Sequence, residues 1–167
     1  MGSVAPPMSK KIPSLLFVCL GNICRSPSLK GEMEYLLKEK GIAAYIESCG
    51  LQSTFLGNPP DRRMQAVAQA HGIILDDRAK IFESSFFEQF DAIFCVTEDV
   101  LSAVKAMAYT NEHQNKIFMA THFSAKYKDE EIPDPYFGGE KGFELLWDRI
   151  EDSCKGIMHH FFIDSST

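Results

Sequence analysis

Two side chains that can do chemistry stand close together near the start of the chain. Cys19 ends an apolar run, and Arg25 lies six positions later, just before a helix-like pattern. A strand–loop–helix junction presents the unpaired amides of the first helical turn, which favour a bound anion together with the helix dipole. Arg25 adds a planar fork for two phosphate oxygens, and Gly21 permits a tight backbone turn. Pro27 is tolerated in a first helical turn, where no amide proton is needed. The stretch predicts an oxyanion site with a thiol beneath it.

The same surroundings would make the thiol reactive. A cysteine near a helix N-terminus and a cation can have a pKa well below its usual value of about 8.5. A thiolate that faces a phosphate ester can attack phosphorus, because phosphoryl transfer depends on positioning and on stabilising the equatorial oxygens. The leaving group then needs a proton donor. Asp134, which stands between two prolines and precedes an aromatic pair and two glycines, is the candidate.

The elements that must position these groups alternate between strands and helices. Apolar strands that alternate with amphipathic helices indicate a mostly parallel sheet with helices on both faces, and ligands bind beyond the carboxyl ends of such strands. Cys19 stands at one of these ends. The predicted strands are 12–18, 43–48, 90–96 and 116–120, and the predicted helices are 27–40, 61–70, 84–89, 98–109 and 140–162.

Composition narrows the class of protein. The 167 residues are 45% hydrophobic and 24% charged, with a net charge of −6, which argues against a nucleic-acid binder with a general basic face. No apolar run approaches the roughly 20 residues of a membrane span. The five cysteines are odd in number and no export signal is visible, so a reducing, cytoplasmic setting is expected. We expect a disordered extension at 1–10 and a single domain at 11–164.

Two motifs of the chain resemble those of a known family. The run Cys19-Leu20-Gly21-Asn22-Ile23-Cys24-Arg25-Ser26-Pro27 is similar to the phosphate-binding loop of low-molecular-weight protein tyrosine phosphatases. Asp134-Pro135-Tyr136 resembles their general-acid motif, and the likeness covers about residues 14 to 160. The resemblance implies a three-layer α/β fold, with a four-stranded parallel sheet in the order 2-1-3-4 flanked by helices on both faces. It implies no metal and no organic cofactor.

The resemblance also implies a role for each matching residue. Cys19 would be the nucleophile that forms a phosphocysteine, and Arg25 would bind phosphate and stabilise the transition state. Asp134 would protonate the leaving group and then activate water. Ser26 would stabilise the Cys19 thiolate. Cys24 would be the redox partner that forms a reversible disulfide with Cys19.

Further residues would support the loop and shape the pocket. Asn22, together with Ser48 and His71, would hold the loop in shape through hydrogen bonds. Tyr136 would form one wall of the substrate pocket. The opposite wall usually carries an aromatic residue, but that position falls on Thr54 here; either the neighbouring Phe55 replaces the wall, or the pocket is more open on that side.

The implied substrate is a phosphotyrosine protein or a small aryl phosphate, with inorganic phosphate as product and inhibitor. The protein is expected to be a monomer that binds neither nucleic acid nor membrane. Three alternatives stay open: an arsenate reductase on the same scaffold, a phosphoarginine phosphatase and a non-catalytic phosphate-binding module. The reductase needs a cysteine relay, and the residues that directly follow Cys95, 96–104, contain no partner cysteine. The binding module would require loss of the nucleophile, the arginine or the acid, and all three are present.

Overall fold

The computed structural model describes residues 12–135 and 139–163, except for the side chains of residues 139 and 140. The predicted extension at 1–10 and the proposed pocket wall at Tyr136 lie outside the described residues. The described elements are β1 (Ser14–Cys19), α1 (Arg25–Glu39), β2 (Tyr45–Gly50), α2 (Arg62–Ala70), α3 (Phe86–Gln89), β3 (Ala92–Cys95), α4 (Glu98–Ala106), α5 (Asn111–Gln114), β4 (Ile117–Met119) and α6 (Gly139–Met158), followed by a π-helical turn (His159–Ile163).

The four strands form one parallel sheet in the order β2-β1-β3-β4, which confirms the predicted topology. Strand β1 lies in the interior of the sheet and all six of its residues are buried. In the register, Val18 stands opposite Cys49 on one side and Cys95 on the other. The carboxyl end of β1 therefore opens at the middle of the sheet edge, where a loop can reach both neighbouring strands.

Helices flank the sheet and complete the core. Helix α1 packs against β1 and β2 and also against α6, whereas α4 packs against β3 and β4. The one tryptophan, Trp147, is 2% exposed on α6, as expected for a core residue. In the described part of the chain, no helix is both long and apolar enough to cross a membrane.

Several boundaries differ from the sequence prediction. Helix α1 begins at Arg25, two residues before the predicted start, with Pro27 in the first turn, where its missing amide proton costs no hydrogen bond. Helix α4 ends at Ala106, not at residue 109. The short helix α5 was not predicted; the Thr110 side chain caps it by accepting a hydrogen bond from the His113 amide at 3.0 Å.

Candidate active site

A cavity of about 140 Å³ opens where β1 ends and α1 begins. It brings together the cysteine, the arginine and the aspartate on which the sequence prediction rests, although more than a hundred positions separate the last two. Its lining consists of Cys19, Leu20, Gly21, Ile23, Cys24, Arg25, Gln52, Phe55 and Asp134. The predicted loop therefore surrounds a cavity that can hold a ligand, and Asp134 lines the same cavity.

Asn22 gives the loop its shape. Its backbone φ is +58°, a left-handed conformation that asparagine tolerates better than most residues. Its side-chain amide donates to the hydroxyls of Ser26 at 2.8 Å and Ser48 at 2.9 Å, and its Oδ1 accepts from the amide of Lys80 at 2.8 Å. Asn22 is 3% exposed, so these bonds are protected from water. One buried side chain thus ties the loop to α1, to β2 and to the segment before α3.

The Cys19 thiol is surrounded by hydrogen-bonding groups. Its Sγ lies 3.0 Å from Ser26 Oγ and accepts from the backbone amide of Asn22 at 3.2 Å. Because Ser26 Oγ already accepts from Asn22, its own proton can point to the sulfur or to the Cys49 carbonyl at 3.3 Å. The Ser26 hydroxyl and the Asn22 amide can both donate to a negatively charged sulfur. The predicted contact between Ser26 and Cys19 is present.

The loop is also held from outside by the end of β2. The carbonyl of Leu20 accepts from the amides of Leu51 at 2.9 Å and Gln52 at 3.0 Å. A side chain on Gly50 would place its Cβ 2.6 Å from the Leu20 oxygen and 3.0 Å from the Asn22 nitrogen. Gly50 therefore permits the close approach that positions the loop, a requirement that sequence reasoning missed because nothing local to Gly50 indicates it.

Arg25 links the loop to the segment that carries the aspartate. Its guanidinium, on a residue only 7% exposed, donates to the Ile132 carbonyl at 3.1 Å. The Ile132 amide in turn donates to the Val96 carbonyl, just beyond β3, at 2.8 Å. Since Asp134 follows Ile132 by only two residues and lines the cavity, these bonds help to hold it beside the loop.

The wall of the cavity is not formed by Thr54, the residue on which the family's aromatic position falls. Thr54 is exposed and does not line the cavity, whereas Phe55 does. The Phe55 ring lies over Gly21, where an added Cβ would approach it to 2.9 Å. Of the two alternatives, the structure therefore favours Phe55 as the wall. Gln52 also lines the cavity and was not predicted; its type alone carried no signal.

His71 does not join the predicted network. It caps the end of α2, is exposed, and its ring stacks on Trp147 with the centroids 5.0 Å apart. The described partners of the Asn22 side chain are Ser26, Ser48 and Lys80. Stacking on an aromatic ring of α6 therefore accounts for the position of His71.

The other cysteines have different surroundings from Cys19. Burial raises the pKa of the Cys49 thiol far above its usual range, and the neighbouring Cys19 adds to this shift. Burial likewise raises the pKa of Cys95 and of Cys154. Cys24 is 5% exposed and lines the cavity, and all five cysteines are reduced. The three deeply buried thiols are therefore held neutral.

Among the residues that the structure describes, no group of three or more acidic, histidine or cysteine side chains could hold a metal ion.

Comparison with known proteins identifies the family. The family model described as low molecular weight phosphotyrosine protein phosphatase matches residues 14–165. The chain belongs to this family of cysteine-dependent hydrolases. The low molecular weight phosphotyrosine protein phosphatase of Gallus gallus is 32% identical over 151 residues, which cover 89% of this chain and 95% of that protein.

Solved structures of the family have the same fold. A crystal structure of a protein tyrosine phosphatase from Entamoeba histolytica, with Hepes in its active site, has a TM-score of 0.83 at 35% identity and covers 87% of this chain and 94% of its own. A Drosophila arginine phosphatase has a TM-score of 0.82 at 30% identity and covers 89% of this chain and 97% of its own.

Proposed function

We propose that this protein hydrolyses phosphotyrosine and other aryl phosphate monoesters through a phosphocysteine intermediate. The observation that carries the proposal is the single cavity lined by Cys19, Arg25 and Asp134. Family membership supports it, because the relatives are named protein tyrosine phosphatases. We further propose that the protein acts as a cytoplasmic monomer and that inorganic phosphate inhibits it as the product.

In the first step, the Cys19 thiolate attacks phosphorus. A sulfur–phosphorus bond forms while the bond from phosphorus to the leaving oxygen breaks. Arg25 and the loop amides stabilise the charge on the equatorial oxygens, and the carboxyl of Asp134 gives its proton to the leaving oxygen. The Ser26 hydroxyl and the Asn22 amide, both at the sulfur, stabilise its negative charge before attack.

In the second step, water hydrolyses the intermediate. The Asp134 carboxylate takes a proton from the water, whose oxygen attacks phosphorus as the sulfur–phosphorus bond breaks. The products are inorganic phosphate and the regenerated thiolate. We assign Cys24 the role of redox partner, because it lines the same cavity as Cys19 and could trap an oxidised sulfur as a reversible disulfide.

Phe55 favours a flat aryl group in the substrate. Its ring lies beside the loop over Gly21, where it can pack against an aromatic leaving group. A phosphoarginine substrate is the second candidate, because a similar structure of 30% identity is an arginine phosphatase. Comparing kcat/KM for matched phosphotyrosine and phosphoarginine peptides decides between them, and a higher value for phosphoarginine would overturn the phosphotyrosine assignment.

The test is the pH dependence of aryl phosphate hydrolysis, measured without added metal for the wild type, Cys19→Ser and Asp134→Ala. We expect Cys19→Ser to abolish turnover and to form no phosphoenzyme intermediate. We expect Asp134→Ala to lower kcat by about 10²–10⁴-fold for poor leaving groups and much less for good ones, because a good leaving group needs no proton.

Cys154→Ser is the matched control for the loss of a thiol. Cys154 is fully buried on α6 and donates to the Leu29 carbonyl at 3.4 Å, a bond that a serine hydroxyl can keep. This variant should retain wild-type turnover. Full activity in Cys19→Ser, or none in the folded wild type, would contradict the proposed function.

A further inference from the structure

A second cavity adjoins the candidate active site and shares a residue with it. Its volume is about 350 Å³, and Asp134 lines both cavities. The remaining lining comes from the two prolines beside Asp134 and from the first turns of α6. We call it the α6 groove; apart from Asp134, its residues are Pro133, Pro135, Gly142, Leu145, Leu146 and Arg149.

The α6 groove is mostly apolar, because Asp134 and Arg149 are the two charged residues among the seven that line it. Its helical residues recur at intervals of three and four, so they lie along one face of α6. On this face Leu146 is 2% exposed and belongs to the core, whereas Leu145 is 72% exposed. A large aliphatic side chain is thus held open to solvent beside the catalytic cavity.

Arg149, the one cationic residue that lines the α6 groove, is already paired with a carboxylate. The Arg149 guanidinium donates to Glu130 Oε1 at 2.8 Å and lies over the Tyr127 ring, 4.4 Å from its centroid. Because its charge is balanced by a carboxylate and its face is covered, Arg149 does not make the groove a site for an anion. The chemistry of the groove fits an apolar side chain.

We propose that the α6 groove binds an apolar side chain that neighbours phosphotyrosine in a protein substrate. The inference rests on the proposed function, in which the leaving oxygen of the substrate lies at Asp134. Because Asp134 belongs to both cavities, a substrate chain that passes this residue can reach the α6 groove. The occupant is thus a substrate segment.

A second copy of this chain fits the groove less well. Stable protein interfaces bury about 1,200–2,000 Å² in total. Among the lining residues, Leu145 is the one large hydrophobic side chain that is mostly exposed, because Leu146 is buried in the core and Arg149 is paired with Glu130. One inserted side chain matches such a groove, and a flat dimer interface does not.

The experiment measures kcat/KM for three phosphotyrosine peptides that differ at one position beside the phosphotyrosine: leucine, glycine or glutamate. The positions before and after the phosphotyrosine are tested separately. The wild type should favour leucine over glycine by about three- to ten-fold, mostly through KM, and should disfavour glutamate. Leu145→Ala should reduce the leucine-to-glycine ratio towards one, and Leu145→Glu should reduce it further.

Ile74→Ala is the matched control, because Ile74 is 78% exposed and lines a different cavity that shares no residue with the catalytic one. It should keep the wild-type ratio. The inference is overturned if the wild type does not prefer leucine at either position, or if Leu145→Ala keeps the ratio. Failure of the proposed function would differ, because the wild type would then hydrolyse neither the peptides nor an aryl phosphate.

Discussion

Replacing Asn22 tests how the loop is held in shape. Asn22→Ala removes three side-chain hydrogen bonds, to Ser26, Ser48 and Lys80, and leaves their buried or part-buried groups without this partner. At about 0.5–1.5 kcal/mol each, the three bonds contribute about 1.5–4.5 kcal/mol to the free energy of unfolding. Alanine must also adopt the left-handed backbone at φ +58°, which costs roughly 1–2 kcal/mol. The expected total loss for Asn22→Ala is about 2.5–6.5 kcal/mol.

Asn22→Gly separates the two causes. Glycine also lacks the three hydrogen bonds but adopts the left-handed conformation without strain. We therefore expect Asn22→Gly to be about 1 kcal/mol more stable than Asn22→Ala. Asn115→Ala is the matched control, because Asn115 is exposed with an ordinary helical φ of −72°; it should change stability by less than about 0.5 kcal/mol.

The assay is urea unfolding followed by the fluorescence of Trp147, the one tryptophan, together with kcat/KM for an aryl phosphate. Because a displaced catalytic group can cost about 10²-fold, kcat/KM should fall by about 10–100-fold in Asn22→Ala. A stability loss below about 1 kcal/mol, or equal stability of the alanine and glycine variants, would refute the reasoning.

Three further predictions concern single residues. In Gly142→Ala, the new Cβ would lie 2.6 Å from the Pro135 carbonyl oxygen, so the segment that carries Asp134 must shift. We expect kcat to fall about ten-fold for substrates with poor leaving groups and little for those with good ones. Equal losses for both kinds of substrate would contradict this explanation. Burial against α6 raises the pKa of Glu32 from 4.5 to about 7, so the folded state favours the protonated acid and stability falls as pH rises from 4.5 to 7. Glu32→Gln should remove that fall and gain up to about 3 kcal/mol at pH 8 in urea unfolding, and an unchanged pH profile would contradict it. In Cys24→Ser, turnover should persist, but peroxide inactivation of Cys19 should no longer be reversed by dithiothreitol; full recovery would argue against Cys24 as the redox partner.

The residues of the loop and Asp134 could be predicted because their residue types and their order in the chain indicate their chemistry. Cys19 and Arg25 are adjacent to the strand end that positions them, so a local pattern was sufficient. Asp134 was found by its type and its flanking prolines, and the cavity places it beside the other two. The parallel sheet followed from the alternation of elements, and its strand order followed from the resemblance.

What the sequence did not indicate depends on packing between distant segments. The requirement for Gly50 arises from the loop that lies against it, and the stacking of His71 depends on where α6 places Trp147. The role of Ile132 lies in its backbone, which carries no signal in residue type. Helix α5 has four residues, too few for the periodicity on which helix prediction relies.

The position of Arg25 joins the two halves of the proposed mechanism. Its guanidinium donates to the Ile132 carbonyl, and the Ile132 amide donates to Val96 beyond β3. The side chain proposed to bind phosphate therefore also holds the segment that carries Asp134. A guanidinium has five N–H donors in a fixed plane, so it can keep this carbonyl and still offer two donors to phosphate, whereas a lysine ammonium has three donors around one point. Arginine therefore suits the proposed mechanism for its geometry as well as for its charge, because one planar group can contact the acid segment and the phosphate together.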